Sequence, residues 1–274
     1  MLYLSRQLDF SASHVYRVAE WGEEENLLVF GKCSNIHGHG HDYKLEVVVK
    51  GLLDETAGIV VNTTEIKQIA GSFLHKELDG KFLNREHVYF QEHMPTTENL
   101  VQYIWESLDH RFPGCELHQI RLHENHYLSA EKERDSLLKL TRKYHFCASH
   151  RLHSPNLTLE QNQQLFGKCN NPNGHGHNYY LDVTVEGEPD PVTGMVLNLA
   201  ELDQIVESIV LEKLDHKNLN LDTEEFKDVN PTSEVVAMVI YGMLKPHLPQ
   251  LCRIGLWETD KNYFEYWGPE GQHV

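Results

Sequence analysis

The hydrophobic pattern predicts the same short series of elements in each half of the chain. Residues 43–49 (YKLEVVV) and 179–185 (YYLDVTV) alternate in the period-two manner of a half-buried strand. Residues 231–240 begin Pro-Thr-Ser-Glu, which predicts a helix with Ser or Thr at its N-cap. Each half reads as strand, strand, helix, helix, strand, strand, so the expected class is α+β. Residues 199–210 supply the other helix, with an apolar face of Leu199, Leu202, Ile205, Val206 and Ile209.

The two halves are copies of one sequence at an offset of 136 residues. FSASH at residues 10–14 recurs as FCASH at 146–150, and GKC at 31–33 recurs at 167–169. One register over so many positions identifies a tandem duplication. The further pairs are His39 and His175, His41 and His177, Tyr43 and Tyr179, Gly58 and Gly194, Asn62 and Asn198, Glu65 and Glu201, Asp79 and Asp215, Asn84 and Asn220, Pro95 and Pro231, and Glu98 and Glu234.

The boundary between the copies is expected at a polar segment. Residues 129–136 (SAEKERDS) are polar and charged, as in a linker. We therefore predict a first module at 1–128, a linker at 129–138 and a second module at 139–274. With 274 residues, the chain is long enough for each module to bury its own core.

Composition narrows the class of function. The net charge of −17 opposes binding to nucleic acid, and no local basic patch is evident. No apolar run approaches the roughly 20 residues that span a bilayer. The N-terminus, MLYLSRQLDF, lacks the features of a secretory signal. The five cysteines form no CxxC pair, which favours thiols in a reducing compartment. We expect a cytoplasmic protein that binds neither nucleic acid nor membrane.

Histidines at matching positions predict a metal site in each module. His175 and His177 lie two residues apart, so on a strand both imidazoles project from one face. His150, from the preceding strand, can supply a third nitrogen. Three imidazoles without a fourth protein ligand are typical of catalytic zinc, because the open position accepts water or substrate. A solvated loop is the alternative for a single HGH, but the arrangement occurs twice.

The first module contains His37-Gly-His39-Gly-His41, so either adjacent pair could bind the metal. The offset of 136 residues selects the later pair and places His37 opposite Asn173. The predicted ligands of the first module are His14, His39 and His41. One zinc ion per module is expected.

Further residues could move protons near the metal. Cys169 and Cys33 each precede their HGH pair by six residues, and a thiolate near a cation can act as base or nucleophile. A small buried hydrophobic residue is the alternative for each. His216, beside Asp215, can exchange protons at physiological pH, although neighbours in sequence rarely face each other.

The first module lacks one of these groups. Asp79 is retained there, but Gly80 stands where the second module has His216. Glu258 aligns with Glu124, and a carboxylate at a strand end can bind a guanidine-like edge through paired hydrogen bonds. A surface charge is the alternative for this pair. Cys33, Asp79 and Glu124 could therefore be vestigial.

The motifs together resemble one enzyme family. FCASH, GKCNNPNGHGHNY, DPVTGMVLNLAELD, LDHKNLNLD, PTSEVVA and WETD are similar to the 6-pyruvoyltetrahydropterin and 6-carboxytetrahydropterin synthases. The resemblance covers residues 139–268 almost continuously and residues 1–128 more loosely. It implies two tunnelling-fold modules, each a four-stranded antiparallel sheet with two helices on one face, which oligomerise into barrels.

The same resemblance implies a substrate and residue roles. The substrate is 7,8-dihydroneopterin triphosphate, with zinc held by His150, His175 and His177. Cys169 is then the base, Asp215 and His216 assist proton transfer, and Glu258 anchors the pterin. The product is the 6-pyruvoyl compound, or a 6-carboxy compound for queuosine synthesis with loss of acetaldehyde. The spacing between Cys169 and the HGH pair favours the former. Gly80 makes independent catalysis by the first module doubtful.

The assembly and a second class of function complete these expectations. A homo-oligomer is expected, a trimer of tandem chains or a multiple, in which like modules meet like modules because a threefold ring cannot alternate two kinds. The Asp215–His216 pair of one chain would then serve the zinc and Cys169 of another.

The alternative class of function is a non-catalytic zinc-binding or pterin-binding assembly module. Retention of the complete residue set in the second module argues against it.

Overall fold

A computed structural model describes residues 1–269 and divides into two compact units. The first unit contains residues 1–141 and 186–200, and the second contains residues 142–185 and 201–269. Residues 186–200 belong to the second repeat in sequence, but they group with the first unit. Residues 270–274, the end of the predicted second module, lie outside the described residues.

The first unit is built on an antiparallel sheet of four strands in the order β1-β2-β3-β4. Helix α2 packs on β1, and α5 packs on β3 and β4. The elements, in chain order, are β1 (Leu2–His14), α1 (Glu23–Phe30), β2 (His39–Gly51), α2 (Thr63–Glu77), α3 (Leu83–Glu86), α4 (Val88–Glu92), α5 (Thr97–Leu108), β3 (Glu116–Asn125) and β4 (Leu128–Glu133).

Alternation of side chains creates the core of this unit. Tyr43, Leu45, Val47 and Val49 of β2 are fully buried, whereas the residues between them are at least partly exposed. The predicted strand is therefore confirmed, since period-two alternation turns every second side chain toward the helices.

Strand β4 occupies the first half of the segment that the sequence suggested as a linker. Residues 128–133 pair antiparallel with β3 from Gln119 to Asn125. Leu128 and Ala130 are buried on one face of the strand. Two apolar positions among many charges give too weak a period-two signal to recognise in the sequence.

The second unit repeats this plan in the strand order β5-β6-β8-β9, with β7 added in parallel to β5. Helix α9 packs on β8 and β9, and Thr232 caps its N-terminus as predicted. The elements are β5 (Leu138–His150), α6 (Leu159–Phe166), β6 (His175–Gly187), α7 (Leu199–Val206), α8 (Glu212–Leu214), β7 (Lys217–Asn218), α9 (Ser233–Leu244), β8 (Leu251–Thr259) and β9 (Asn262–Tyr266).

The helix predicted at residues 199–210 is present, but its buried face differs from the predicted apolar face. A single π-helical turn, Glu207–Leu211, lies between α7 and α8. Buried residues consequently recur every four positions, at Leu202, Val206, Val210 and Leu214. A π turn winds more residues per turn than an α-helix, so Val210 is buried in place of the predicted Ile209.

Helices α1 and α6 were not predicted. Each ends at the glycine of GKC, Gly31 or Gly167, whose φ angles of 53° and 49° suit glycine best. A 3₁₀ turn follows each helix and contains Cys33 or Cys169. Among residues 1–269, no helix is both long and apolar enough to cross a membrane.

Candidate functional site

Three imidazoles meet where β1 ends and β2 begins. His14 pairs with His39 in the antiparallel ladder, and Ala12 pairs with His41. These positions lie on one face of the sheet, since paired residues share a face and a strand alternates with period two. The Nε2 atoms of His14 and His39 are 3.2 Å apart. His14, His39 and His41 each offer a ligand nitrogen within 4.8 Å of the others.

The second repeat forms the same cluster. His150 Nε2 lies 3.2 Å from His175 Nε2 at the end of β5 and the beginning of β6. His177 completes the set within the same 4.8 Å limit. In the first repeat, His39 and His41, the pair that the offset selects, are the ones that face His14. His37 is exposed and outside the cluster.

The geometry of both clusters fits a divalent metal ion. Two nitrogens about 2.05 Å from a tetrahedral zinc ion lie roughly 3.3 Å from each other, close to the 3.2 Å between the paired Nε2 atoms. The buried Nε2 atoms of His41 and His177 accept and donate no hydrogen bond. Such orphaned nitrogens are costly unless something binds them. Each cluster can therefore hold a metal ion.

Neighbouring groups fix the buried imidazoles in the tautomer that a metal needs. His150 Nδ1 lies 2.7 Å from the carbonyl oxygen of Pro231, to which it donates. His14 has the corresponding bond to Pro95. An Nδ1–H bonded to a carbonyl leaves the lone pair on Nε2, which points into the cluster.

Burial disfavours the charged form of two imidazoles in each cluster. Burial lowers the pKa of His14, His39, His150 and His175, and the neighbouring imidazoles lower each further. Protonation is unfavourable because a charged imidazole would lose hydration beside two others. Neutral imidazole is the form that ligates metal ions.

A carboxylate faces each cluster, so these groups are not simply surface charges. Glu124 Oε1 lies 3.4 Å from His41 Nε2. Glu258 Oε1 lies 3.7 Å from His177 Nε2 and accepts a hydrogen bond of 2.8 Å from Ser233 Oγ. Glu124 is buried and accepts from the hydroxyls of Thr97, at 2.7 Å, and Tyr16.

The cysteines of GKC are hydrogen-bonded to the segments that follow β1 and β5. The carbonyl of Cys169 accepts a 2.9 Å bond from Leu152 N, two residues after His150. Cys33 has the corresponding bond from Tyr16 N, also 2.9 Å. Both cysteines are half-buried. Cys33 packs against a small apolar cluster that includes Tyr16.

Asp215 and His216 face each other, against the expectation for sequence neighbours. Asp215 Oδ2 lies 2.9 Å from His216 Nδ1. Asp215 Oδ1 also accepts from Cys147 N at 2.7 Å, while His216 N donates to the carbonyl of Cys147. His216 has a φ of 58°, and this left-handed turn rotates its ring back onto the carboxylate.

This pair lies on the face of the sheet opposite its own histidine cluster. Its ligand atoms group with the thiol of Cys147, and that thiol contacts Asn178 on β6. Cys147 and Asn178 alternate with Ala148 and His177 along their strands, so they point the other way. The Asp215 and His216 side chains therefore lie on the other face of the sheet from the three imidazoles of their own repeat.

The first repeat preserves the carboxylate without the imidazole. Asp79 Oδ1 accepts from Ser11 N at 3.0 Å, as Asp215 does from Cys147. Gly80 has a φ of 73°, and a Cβ there would meet no atom within 4 Å. The position is open and has the same backbone conformation as His216.

A loop of the second repeat covers the site of the first. Met195 is only 6% exposed and packs with Tyr16 and Phe30. Val196 N donates to Glu98 Oε1 at 3.2 Å. A neighbour of the first module's site is therefore the second repeat, so the expectation that only like modules meet is wrong for this contact.

Glu98 yields a prediction about stability. Burial raises its pKa from 4.5 to about 7, with nearby Glu124 adding to the increase. A raised carboxyl pKa contributes stability that is present below pH 4.5 and is lost as the pH rises to 7. We expect Glu98→Gln to remove about 3 kcal/mol of this pH dependence, as measured by urea unfolding across this range. Glu234→Gln, at the exposed equivalent, is the control, and parallel curves for wild type and Glu98→Gln would contradict the assignment.

Several site residues were absent from the sequence interpretation. Ser233 and Thr97 orient the carboxylates, and Cys147 joins the Asp215–His216 pair. Cys147 had a signal: FCASH differs from FSASH at this position, and the same repeat that gains Cys147 also has His216. For the orienting hydroxyls of Thr97 and Ser233, the only signal in the sequence is the repeated PT(S/T)E segment.

Comparisons with known proteins agree with this architecture. The family model described as 6-pyruvoyl tetrahydropterin synthase matches twice, at residues 3–135 and 139–269. The human 6-pyruvoyl tetrahydrobiopterin synthase is 51% identical over 132 residues, which cover 47% of this chain and 91% of that protein. The Drosophila melanogaster protein of the same name is 45% identical over 133 residues, covering 47% and 79%.

One solved structure of this family also matches half of the chain. The 6-pyruvoyl tetrahydropterin synthase of Caenorhabditis elegans is 45% identical, with a TM-score of 0.47, over 48% of this chain and 95% of that one. The double family match confirms the resemblance and the tandem duplication expected from the motifs. The chain, matched over nearly its whole length, belongs to the 6-pyruvoyl tetrahydropterin synthase family of lyases.

Proposed function

We propose that this chain is a zinc-dependent lyase that converts 7,8-dihydroneopterin triphosphate to 6-pyruvoyl-tetrahydropterin and releases triphosphate. The observation that carries the proposal is the cluster of His150, His175 and His177 beside Glu258. Three protein ligands would leave one position of a tetrahedral zinc ion for water or substrate. The relatives' names supply the reaction, and the six-residue spacing from Cys169 to the HGH pair favours the pyruvoyl product over the 6-carboxy product.

The second repeat would hold the working zinc through three neutral nitrogens. Bound zinc supplies Lewis acidity, which makes the protons on the hydroxyl-bearing carbons of the substrate easier to remove. Cys169 is the proposed base for such a proton. Glu258 is the proposed pterin anchor, since a carboxylate oriented by Ser233 can accept paired N–H bonds from a 2-amino-pyrimidinone edge.

Asp215 and His216 are proposed to complete a site in another copy of the chain. The Asp215 carboxylate holds His216 Nδ1–H, which leaves Nε2 to exchange a proton with substrate. Since the pair faces away from its own cluster, a homo-oligomer is needed. A trimer of tandem chains or a multiple remains the prediction for its size.

The first repeat is proposed to bind zinc without independent turnover. Gly80 supplies no imidazole, and the Tyr16 hydroxyl already bonds the anchor carboxylate Glu124. The second repeat has Leu152 in place of Tyr16, so no such hydroxyl engages Glu258. Cys33, Asp79 and Glu124 are accordingly vestigial in this proposal.

His216→Gly is expected to lower turnover roughly 10²–10⁴-fold, the usual contribution of a proton-transfer group. The fold should tolerate it, because Gly80 shows the same backbone conformation and the side chain is exposed. We expect the free energy of unfolding to stay within about 1 kcal/mol of wild type. Steady-state kinetics and urea unfolding give both values. Gly80→His is the reciprocal control and should leave turnover unchanged, whereas full activity in His216→Gly would remove His216 from the mechanism.

The proposal is tested by incubating the protein with dihydroneopterin triphosphate and identifying products by mass spectrometry. A 6-pyruvoyl product with triphosphate supports it. A 6-carboxy product with acetaldehyde would assign the chain to the other branch. Substrate recovered unchanged from zinc-loaded protein would indicate a non-catalytic binding module.

A further inference from the structure

Three side chains of different ligand types meet on the sheet face opposite the second histidine cluster. The thiol of Cys147, a carboxylate oxygen of Asp215 and a ring nitrogen of His216 all lie within 4.8 Å of one another. Thiolate, imidazole and carboxylate are the protein groups that bind zinc, and one of each makes a mixed site for a metal ion of intermediate softness. The proposed reaction employs Asp215 and His216, but it assigns no part to the thiol of Cys147.

The backbone holds these three groups together. Asp215 Oδ1 accepts from Cys147 N at 2.7 Å, and His216 N donates to the carbonyl of Cys147 at 2.6 Å. Asp215 Oδ2 and His216 Nδ1 lie 2.9 Å apart, and two such ligands of a tetrahedral zinc ion lie roughly 3.3 Å apart. A zinc ion can therefore replace the proton between them after a small movement of the exposed ring.

Neighbouring side chains suit a thiolate at this position. Asn178 Oδ1, on β6, accepts from Cys147 Sγ at 3.3 Å. Since a half-turn of the amide exchanges its oxygen and nitrogen, Asn178 can also donate an N–H to a metal-bound sulfur. His145 is exposed, and its Nε2 lies 3.8 Å from Cys147 Sγ. A sulfur and a nitrogen that share a tetrahedral zinc ion lie roughly 3.6 Å apart, so His145 can supply a fourth ligand.

The first repeat has the same backbone without most of these ligands. The replacements are Ser11 for Cys147, Gly80 for His216 and Asp9 for His145. Asp79 is retained and accepts a 3.0 Å bond from Ser11 N, as Asp215 does from Cys147 N. The second repeat thus differs by one thiol and two imidazoles, all at a single place. The first repeat also shows that serine and glycine are compatible with this backbone.

We propose that Cys147, Asp215 and His216 bind a third zinc ion, in addition to the two ions of the histidine clusters. This site is weaker than the clusters, because His216 is 79% exposed and must give up its hydrogen bond to Asp215. The third ion is therefore lost on dialysis, whereas the clusters retain theirs. On binding, the thiol proton of Cys147 passes to solvent, and the hydrogen of the neutral His216 ring moves from Nδ1 to Nε2.

Inhibition of turnover is the consequence for the enzyme, and it alone rests on the proposed function. In that function, His216 Nε2 exchanges a proton with substrate while Asp215 holds Nδ1–H. With zinc on Nδ1, Nε2 carries the hydrogen and can no longer accept a proton. Zinc above two ions per chain should therefore slow the enzyme toward the rate of His216→Gly.

Cobalt(II) tests the site independently of turnover, because a thiolate ligand gives cobalt a near-ultraviolet charge-transfer band that imidazole ligands do not. Cobalt is titrated into protein whose histidine clusters already hold zinc, and the zinc content is measured afterwards. Wild type and Cys169→Ala are expected to develop the band, whereas Cys147→Ser should show none. His216→Gly should raise the cobalt concentration at half-saturation more than roughly 10-fold. No band in wild type, or an equal band in Cys147→Ser, would overturn the site.

Turnover with and without added zinc tests the inhibition, each protein being compared with its own rate after dialysis. Saturating zinc is expected to lower the rate of wild type roughly 10²–10⁴-fold, the contribution of a proton-transfer group. Cys147→Ser should retain most of its own rate at the same zinc concentration, which also controls for zinc bound by the triphosphate of the substrate. Equal inhibition of both proteins would overturn the inhibition by this site. A wild type that develops the cobalt band but forms no product would overturn the proposed function only.

Discussion

Cys169→Ala lowers turnover of dihydroneopterin triphosphate roughly 10²–10⁴-fold while metal remains bound: this is the expected result if the thiol is the base. The three nitrogens of the second cluster lie within 4.8 Å of one another without a sulfur ligand. Removing the thiol should therefore leave the ligand set intact. Steady-state kinetics and metal analysis of the same preparation give both values.

Cys33→Ala is the matched control, since it removes the equivalent thiol from the first repeat. It should be nearly silent, because that repeat has Gly80 in place of the imidazole. Loss of metal in Cys169→Ala would reassign this cysteine to the coordination shell. An inactive Cys33→Ala together with an active Cys169→Ala would move the working site to the first repeat.

His177→Ala is expected to remove both the second metal ion and activity. The site has only three protein ligands, so loss of one should weaken zinc binding by more than the roughly 10–100-fold typical of outer residues. Wild type should contain two zinc ions per chain, one for each histidine cluster. The variant should retain one, as measured by elemental analysis of dialysed protein.

His41→Ala is the control for this experiment. It removes the equivalent ligand of the first cluster and should also lower zinc to one ion per chain, but turnover should persist. One ion per chain in wild type that disappears in His177→Ala would show that the first cluster does not bind zinc. Full zinc content in His177→Ala would exclude the second cluster as the metal site.

The sequence by itself determined the duplication, the class of each module and both sets of histidines. These are local or periodic properties: alternation places Tyr43 and Leu45 in a core, and an HGH pair on a strand points two imidazoles in one direction. The offset then selected His39 and His41 over His37, since a repeated register transfers geometry from one copy to the other. Strand β4 was not recognised because it has only two apolar positions, Leu128 and Ala130, among charged residues.

Only the tertiary structure decided how the groups combine. Sequence places Asp215 next to His216, but the left-handed backbone at His216 brings its imidazole ring against the Asp215 carboxylate. Sequence places the loop that contains Met195 in the second repeat, but in the structure Met195 packs with Tyr16 and Phe30 of the first repeat. Such contacts depend on which surfaces fold next to each other, and side chains far apart in the chain meet without any local pattern that records it.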